Sequence, residues 1–141
     1  MKEIQDLLPH RDPFLFVDEL EKVTEKEIVA YRTFPDSSFF FQGHFPEYPV
    51  VPGVLLIETM AQCGGAGVNH LNLLGDGIPF LATIEKAKFR RQVRPGERIR
   101  LEIENVRISK KMAKQRGKAF VGDEIAAEAE WLCLVGDPPK E

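Results

Sequence analysis

The sequence predicts an α+β fold in which one helix lies against an antiparallel sheet. Three observations lead there. Residues 52–72 form a single apolar stretch that opens with Pro52, a residue suited to a first helical turn because its missing N–H costs nothing there. Beyond it the chain reads as extended segments, clearest where Ile99, Leu101 and Ile103 alternate with Arg98, Arg100, Glu102 and Glu104. The order is strands, one dominant helix, then long strands, without the βα alternation of a parallel sheet.

Taken in order, "EIQDLL" predicts a short helix ending before Pro9. "FLFVDEL" and "KEIVAYRTF" read as strands, the second with Ile28, Ala30, Arg32 and Phe34 alternating against Val29, Tyr31 and Thr33. The Pro- and Gly-rich segment from Pro35 to Pro49 reads as an ordered loop that buries Phe39, Phe40, Phe41 and Phe45. After the helix come "IPFLATIEKAKFRRQV", "ERIRLEIENVRIS", "KAFV" and "EIAAEAEWLCLV". "RPGE" carries Pro and Gly where a type II turn needs them, and "VGDE" can close the last hairpin. No repeat or linker interrupts the chain, so residues 1–141 are expected to form one domain; only the tail "GDPPKE" reads as loose.

Composition bounds the function. A hydrophobic fraction of 43% and a charged fraction of 29% are those of a soluble globular protein. No apolar run approaches a bilayer span, and "MKEIQDLLPHRD" lacks the apolar core of a signal peptide, so a cytoplasmic protein without a membrane is expected. Cys63 and Cys133 stand far apart and read as reduced core thiols. His10, His44 and His70 show no metal-ligand spacing, and no metal or other cofactor is expected. Residues 86–118 hold thirteen of the nineteen Lys and Arg against three Glu, in a chain whose net charge is −3. A wet sheet face explains such a surplus, and so would attraction to nucleic acid, an anionic membrane or an acidic protein. Phe89 is the one aromatic inside this region, which argues against a base-stacking platform and against nucleic acid.

The helix carries the chemistry. Val54, Leu55, Leu56, Ile57, Met60, Ala61, Val68 and Leu71 cover most of its circumference, so it is a buried helix. Its polar residues are not scattered. At about 100° per residue, Glu58, Gln62 and Asn69 fall within roughly 40° of one another, with Gly65 between them. Such a stripe could be the solvated edge of an amphipathic helix, yet Glu58 is the one acidic residue between Pro52 and Asn72. A stripe facing a cavity accounts for it better. A carboxyl buried without a partner is costly, and such surroundings are those in which general acids arise. His44 precedes the Pro-rich turn "HFPEYP" near the helix start. Alone it could be a structural residue; with Glu58 it would make an acid/base couple. The spacing does not show whether the two meet, within one chain or across a dimer.

The stretches "LPHRDPFLFVDEL", "FFQGHFPEYPVVPGVLLIETMAQCGG" and "FLATIEKAKFRRQVRPGERIRLE" closely resemble the (3R)-hydroxyacyl-[acyl-carrier-protein] dehydratases of bacterial type II fatty acid synthesis, the FabZ family. The resemblance runs in order over nearly the whole chain. It implies a hotdog fold, a long central helix wrapped by a curved antiparallel sheet, in dimers with two interfacial sites that often assemble into hexamers. It also implies that His44 and Glu58 are the catalytic pair, drawn from different subunits. The Gly53 N–H would bond the thioester carbonyl, Gln62 would orient Glu58, and the Val50 carbonyl would hold the imidazole. The implied reaction removes water from a 3-hydroxyacyl thioester to give the trans-2-enoyl product.

Three positions depart from the family pattern: Asp12, Glu47 and Gln92, which could alter the entrance and carrier docking. The bifunctional dehydratase/isomerase relatives have Asp in place of Glu58, which favours plain dehydration here. A hotdog thioesterase would place its carboxylate differently, and a non-catalytic acyl-binding hotdog protein would have no use for both His44 and Glu58. The resemblance also supplies a partner for the basic third of the chain, because acyl carrier proteins are small and acidic. Lys86, Lys88, Arg90, Arg91 and Arg94 are the expected docking residues, with Lys86, Lys88 and Arg90 on one strand face by alternation and Arg91 on the other.

Overall fold

The computed structural model describes residues 2–44 and 47–136. The expectations for Phe45 and for most of the tail lie outside these residues. A one-turn helix α1 (Ile4–Leu7) leads to strands β1 (Glu19–Val23) and β2 (Glu27–Thr33). A 3-10 turn over Phe39–Gln42 precedes the long helix α2 (Gly53–His70). Strands β3 (Ile78–Phe89), β4 (Arg98–Ser109), β5 (Met112–Val121) and β6 (Glu124–Gly136) complete the chain. The six strands form one sheet in the order β1-β2-β4-β5-β6-β3, with every neighbouring pair antiparallel. The sheet wraps one central helix, the hotdog arrangement.

Helix α2 is held by what faces it. Ile28 and Ala30 of β2, Ile99, Leu101 and Ile103 of β4, Ala119 of β5, and Ala127, Ala129 and Trp131 of β6 are buried beneath it. Each buried Leu, Ile or Met here contributes about 1.5–3 kcal/mol of transfer free energy. Small residues on both surfaces let the helix come close. A methyl group at Gly67 would overlap Ile28, and one at Gly64 would overlap the Gln115 amide. Gln115 cannot step aside: its Nε2 donates to the Gly64 carbonyl at 3.2 Å and to Asn105 Oδ1 at 2.8 Å, and its Oε1 accepts from Trp131 Nε1 at 3.0 Å. This buried polar group is fully engaged, as its burial requires.

Three strands differ from the sequence expectation, the simplest being β3, which stops at Phe89 instead of continuing through "RRQV". The segment "FLFVDEL" was expected to be extended from Phe14, but β1 begins at Glu19. The Phe14 carbonyl and the Phe16 N–H are bonded to the side chain of Gln62, so they are not available to a strand partner. Strand β5 begins at Met112, well before "KAFV". Its inward residues there are Ala113, Gln115 and Gly117, too small or too polar to show a period-two apolar pattern. In the loop before α2, Phe41 is buried but Phe39 is 49% exposed, against the expectation that the described Phe residues of the loop are all buried. The turns follow their residues: Gly96 of "RPGE" has φ +83° and Gly122 of "VGDE" has φ +58°.

The helix contacts predict opposite outcomes at adjacent glycines. Gly64→Ala should destabilise the protein by about 1–3 kcal/mol through overpacking. Gly65→Ala, whose added methyl would meet only Leu8 at 3.6 Å, should be neutral or gain up to about 1 kcal/mol of helix propensity. Thermal or urea unfolding of the two variants distinguishes them.

Candidate active site

One half of the site is built where the loop after the 3-10 turn meets the start of α2. The His44 Nδ1 lies 2.9 Å from the Val50 carbonyl oxygen. A carbonyl only accepts, so Nδ1 carries the proton of this bond and the lone pair of a neutral imidazole resides on Nε2. His44 lines a cavity of about 500 Å³ together with Val50, Gly53, Val54, Phe89 and Gln92. Gly53 is the first residue of α2, after the N-cap Pro52. The cavity is therefore lined by a helix N-terminus, with the first N–H groups directed out of the helix and the positive end of its dipole. The Phe89 ring covers this spot: a methyl group on Gly53 would sit 2.8 Å from two of its carbons. Any larger residue there would have to displace the half-exposed ring.

The other half is the polar stripe of α2. Asn69 Nδ2 donates to the Leu7 carbonyl at 2.8 Å. Gln62 is 2% exposed; its Nε2 donates to the Phe14 carbonyl and to Glu58 Oε2, both at 3.0 Å, and its Oε1 accepts from the Phe16 N–H at 2.7 Å. Most of the stripe thus faces the N-terminal segment, where the sequence pointed to a cavity. The segment's backbone groups need side-chain partners, and Gln62 and Asn69 supply them. Glu58, at the end of this seam, keeps its side chain 24% exposed and lies 3.8 Å from His10 Nε2. Its charge reaches β6: the Cys133 thiol is pushed up to about 11, first by burial and then by Glu58. Burial likewise pushes the Cys63 thiol up, and both cysteines are free.

The structure thus places His44, Val50 and Gly53 around one cavity and Glu58 with Gln62 in a neighbouring seam. Glu58 does not line the His44 cavity, although it sits one helical turn beyond Val54, which does. His10 and Phe89 were not singled out for the site from sequence. A loop histidine has no periodicity to betray it, and Phe89 reads as an ordinary strand residue. Among the described residues no group of three or more His, Cys, Asp or Glu is placed to hold a metal ion.

The basic third of the chain is less basic in space than along the sequence. Lys86 lies 3.7 Å from Glu130, and Arg90 Nε donates to Glu128 at 3.1 Å, holding that carboxyl below its ordinary range. Lys88 is opposite Glu128 in the β3–β6 register. A bulge between Glu85 and Lys88, with Lys86 at φ +53°, replaces simple alternation, and Lys86 and Lys88 still line one face. Arg90 and Arg91 lie beyond the end of β3 rather than on its faces; the Arg91 guanidinium donates two hydrogen bonds to the Glu97 carboxylate at 3.0 and 2.7 Å, which holds that carboxyl down, and it approaches Glu124 at 3.4 Å. Arg94 stacks over the Tyr48 ring at 4.3 Å, on the loop between His44 and α2. Gln92 lines the His44 cavity, while Asp12 and Glu47 are exposed.

Residues 8–130 match the model of the FabA-like domain family. A 3-hydroxyacyl-[acyl-carrier-protein] dehydratase FabZ of Clostridium kluyveri is 41% identical over 138 residues, covering 97% of this chain and 96% of the relative. The protein of the same name from Desulforamulus reducens is 44% identical over 134 residues, covering 94% of each chain. Among solved structures, the dehydratase heterocomplex ApeI:P from Xenorhabdus doucetiae superposes with a TM-score of 0.81 at 14% identity, over 97% of this chain and 93% of that one. Putative thioesterases superpose less closely, for example one from Ralstonia eutropha with a TM-score of 0.63 at 16% identity, over 83% of both chains. At such identities the structural likeness speaks for the hotdog fold alone.

The Gln62 seam yields a prediction. Gln62→Leu strands the Phe14 carbonyl and the Phe16 N–H and should cost about 1–3 kcal/mol. Hydrogen exchange at the Phe16 amide should accelerate, and thermal unfolding should shift down.

Proposed function

This chain belongs to the FabA-like family and, within it, to the 3-hydroxyacyl-[acyl-carrier-protein] dehydratases of fatty acid synthesis, and from that premise we propose that His44 and Glu58 perform the dehydration. The observation that carries the assignment is the His44 bond to Val50, which directs the basic Nε2 away from Val50 at the edge of a cavity floored by Gly53. The thioester carbonyl of the 3-hydroxyacyl substrate accepts a hydrogen bond from the Gly53 N–H. His44 Nε2 removes the proton from C2, and the released electron pair forms the C2–C3 double bond. The C3–O bond breaks, and the departing hydroxyl takes a proton from the Glu58 carboxyl and leaves as water. Charge grows on the thioester oxygen as C2 is deprotonated, so a donor at the helix N-terminus stabilises the transition state more than the ground state. Gln62 holds the Glu58 carboxyl at a fixed angle by its Nε2 bond.

A homodimer supplies what one chain lacks. Strand β3 ends the sheet with one edge unpaired, and Phe80 and Ile84 on it are 52% and 46% exposed. A long exposed edge with apolar side chains is a template for pairing with another chain. We place a second copy there, so that each site takes His44 from one subunit and Glu58 from the other. The acyl carrier protein docks near the cavity mouth, drawn by Arg90 and Arg94 with Lys86 and Lys88 behind them; Arg91 is committed to its turn. Two free thiols suit a reducing compartment, and we assign the protein to the cytoplasm.

The test is turnover of 3-hydroxyacyl carrier-protein substrates with products identified by mass spectrometry. The expected product is the trans-2-enoyl thioester without the cis-3 isomer; rapid cis-3 formation would reassign the chain to the isomerase branch. His44→Ala and Glu58→Gln should each reduce kcat by about 10²–10⁴-fold while the protein remains folded and dimeric. Mixing the two inactive variants should regenerate activity in heterodimers after subunit exchange, and no recovery would refute a shared site. Rising salt should raise KM for carrier-protein substrates but not for small thioester analogues, since charge attraction is screened over about 8 Å at physiological ionic strength. Arg94→Glu should do the same with kcat nearly unchanged.

A further inference from the structure

The N-terminal segment brings a second imidazole to Glu58. It runs along the polar stripe of α2: the Leu7 carbonyl on Asn69, Leu8 against Gly65, and Phe14 and Phe16 on Gln62. Between these anchors, Arg11 ties the chain into a fixed loop. Its guanidinium donates to the carbonyls of Leu8 at 2.7 Å, His10 at 2.6 Å and Gln5 at 3.0 Å. That loop sets His10 Nε2 at 3.8 Å from Glu58 Oε2, the oxygen that also accepts from Gln62. His10 Nδ1 is buried, and no hydrogen-bond partner accompanies it among the described residues.

These positions determine the tautomer. A buried N–H without an acceptor costs more than an unused acceptor lone pair, so the proton of neutral His10 belongs on Nε2, toward the carboxyl. At 3.8 Å the gap is too long for a hydrogen bond, so the contact requires the two side chains to draw about 1 Å closer. Closure gains most when Glu58 carries charge, after its proton has gone to the departing hydroxyl. The contact therefore strengthens along the reaction, the condition for lowering a barrier rather than merely binding.

We infer that His10 is a positioning residue for the dehydration, its Nε2–H closing onto Glu58 Oε2 and holding the carboxylate that forms as the hydroxyl departs. This rests on the reading of Glu58 as the proton donor. The other charged groups around the contact leave the role to His10. Arg11 is turned to backbone carbonyls, and Cys133 on β6, raised to about 11, stays protonated near neutrality.

The test is a kinetic comparison of His10→Ala, His10→Gln and Glu58→Gln in the full-length enzyme, with folding checked by thermal unfolding. His10→Ala should lower kcat by about 10- to 100-fold, the range for a lost charge-assisted hydrogen bond, with KM changed by less than about twofold. Because the lost donor favours the charged form of the acid, the alkaline limb of the kcat–pH profile should move to higher pH. His10→Gln restores an N–H at the same reach and should recover most of the rate and the original limb. Unchanged kcat in His10→Ala, or a glutamine variant as slow as the alanine one with an unmoved pH limb, would overturn the inference. If Glu58→Gln keeps full activity, the parent reading of Glu58 falls; if it is inactive while His10→Ala is not, only the role of His10 falls.

Discussion

Burying one eighteen-residue helix on nearly every side is the constraint from which the rest of this structure follows. A helix that satisfies its own backbone can sit in the middle of a domain only if its few polar side chains also find partners. The sheet supplies small residues where α2 must approach, and Gln115 bonds the Gly64 carbonyl from the sheet side. The N-terminal segment covers the remaining side. It lies there because Gln62 and Asn69 offer the bonds its irregular backbone would otherwise miss. Glu58 is thus positioned by the same seam that keeps the helix dry, and a change that loosens the seam should be felt at the carboxyl.

This explains what could and could not be read before the structure. The stripe of Glu58, Gln62 and Asn69 is plain from helical arithmetic, because 3.6 residues per turn is a local rule. What the stripe faces is not local. The partner is a segment some fifty residues earlier, with no pattern beyond two phenylalanines whose main-chain groups happen to be the ligands. Strand β4 is legible because Ile99, Leu101 and Ile103 alternate with charge, while the start of β5 is not, because the tight fit against α2 demands Ala, Gln and Gly inward. The charge surplus of residues 86–118 misleads for a similar reason. Counting along the chain misses Glu128 and Glu130, which antiparallel pairing sets beside Lys88, Arg90 and Lys86.

The imidazole of His44 shows how a loop residue acquires a fixed orientation. A flexible side chain on a loop would sample many orientations, and only a fraction would present Nε2 to a substrate. The Val50 carbonyl removes that freedom with one bond from a residue six positions away, close to the start of the helix. Because Val50 is buried at 3% exposure, the acceptor is as rigid as the core behind it. The Gly53 N–H is held in place as part of the first turn of a long helix whose buried residues begin at Leu56. Preorganisation here needs no dedicated scaffold; it is inherited from the packing of α2.

Strand β3 joins assembly to chemistry. Its first half, Ile78–Ile84, pairs with β6 on one side and presents its other edge, with exposed apolar side chains, to the proposed second copy. The bulge after Glu85 then re-aims the strand, so that Phe89 lies over Gly53 and Arg90 reaches the cavity. Bulges recur where a strand must turn a side chain toward a site, and this one separates the two duties of a single strand. If a second copy pairs with this edge, as proposed, it would fix the first half, and the bulge would transmit that position to Phe89. On that reading the ring beside the helix N-terminus would be set by the same contact that brings a second subunit's Glu58 to His44, so that assembly and the seating of Phe89, 53% exposed in the single chain, would be one event.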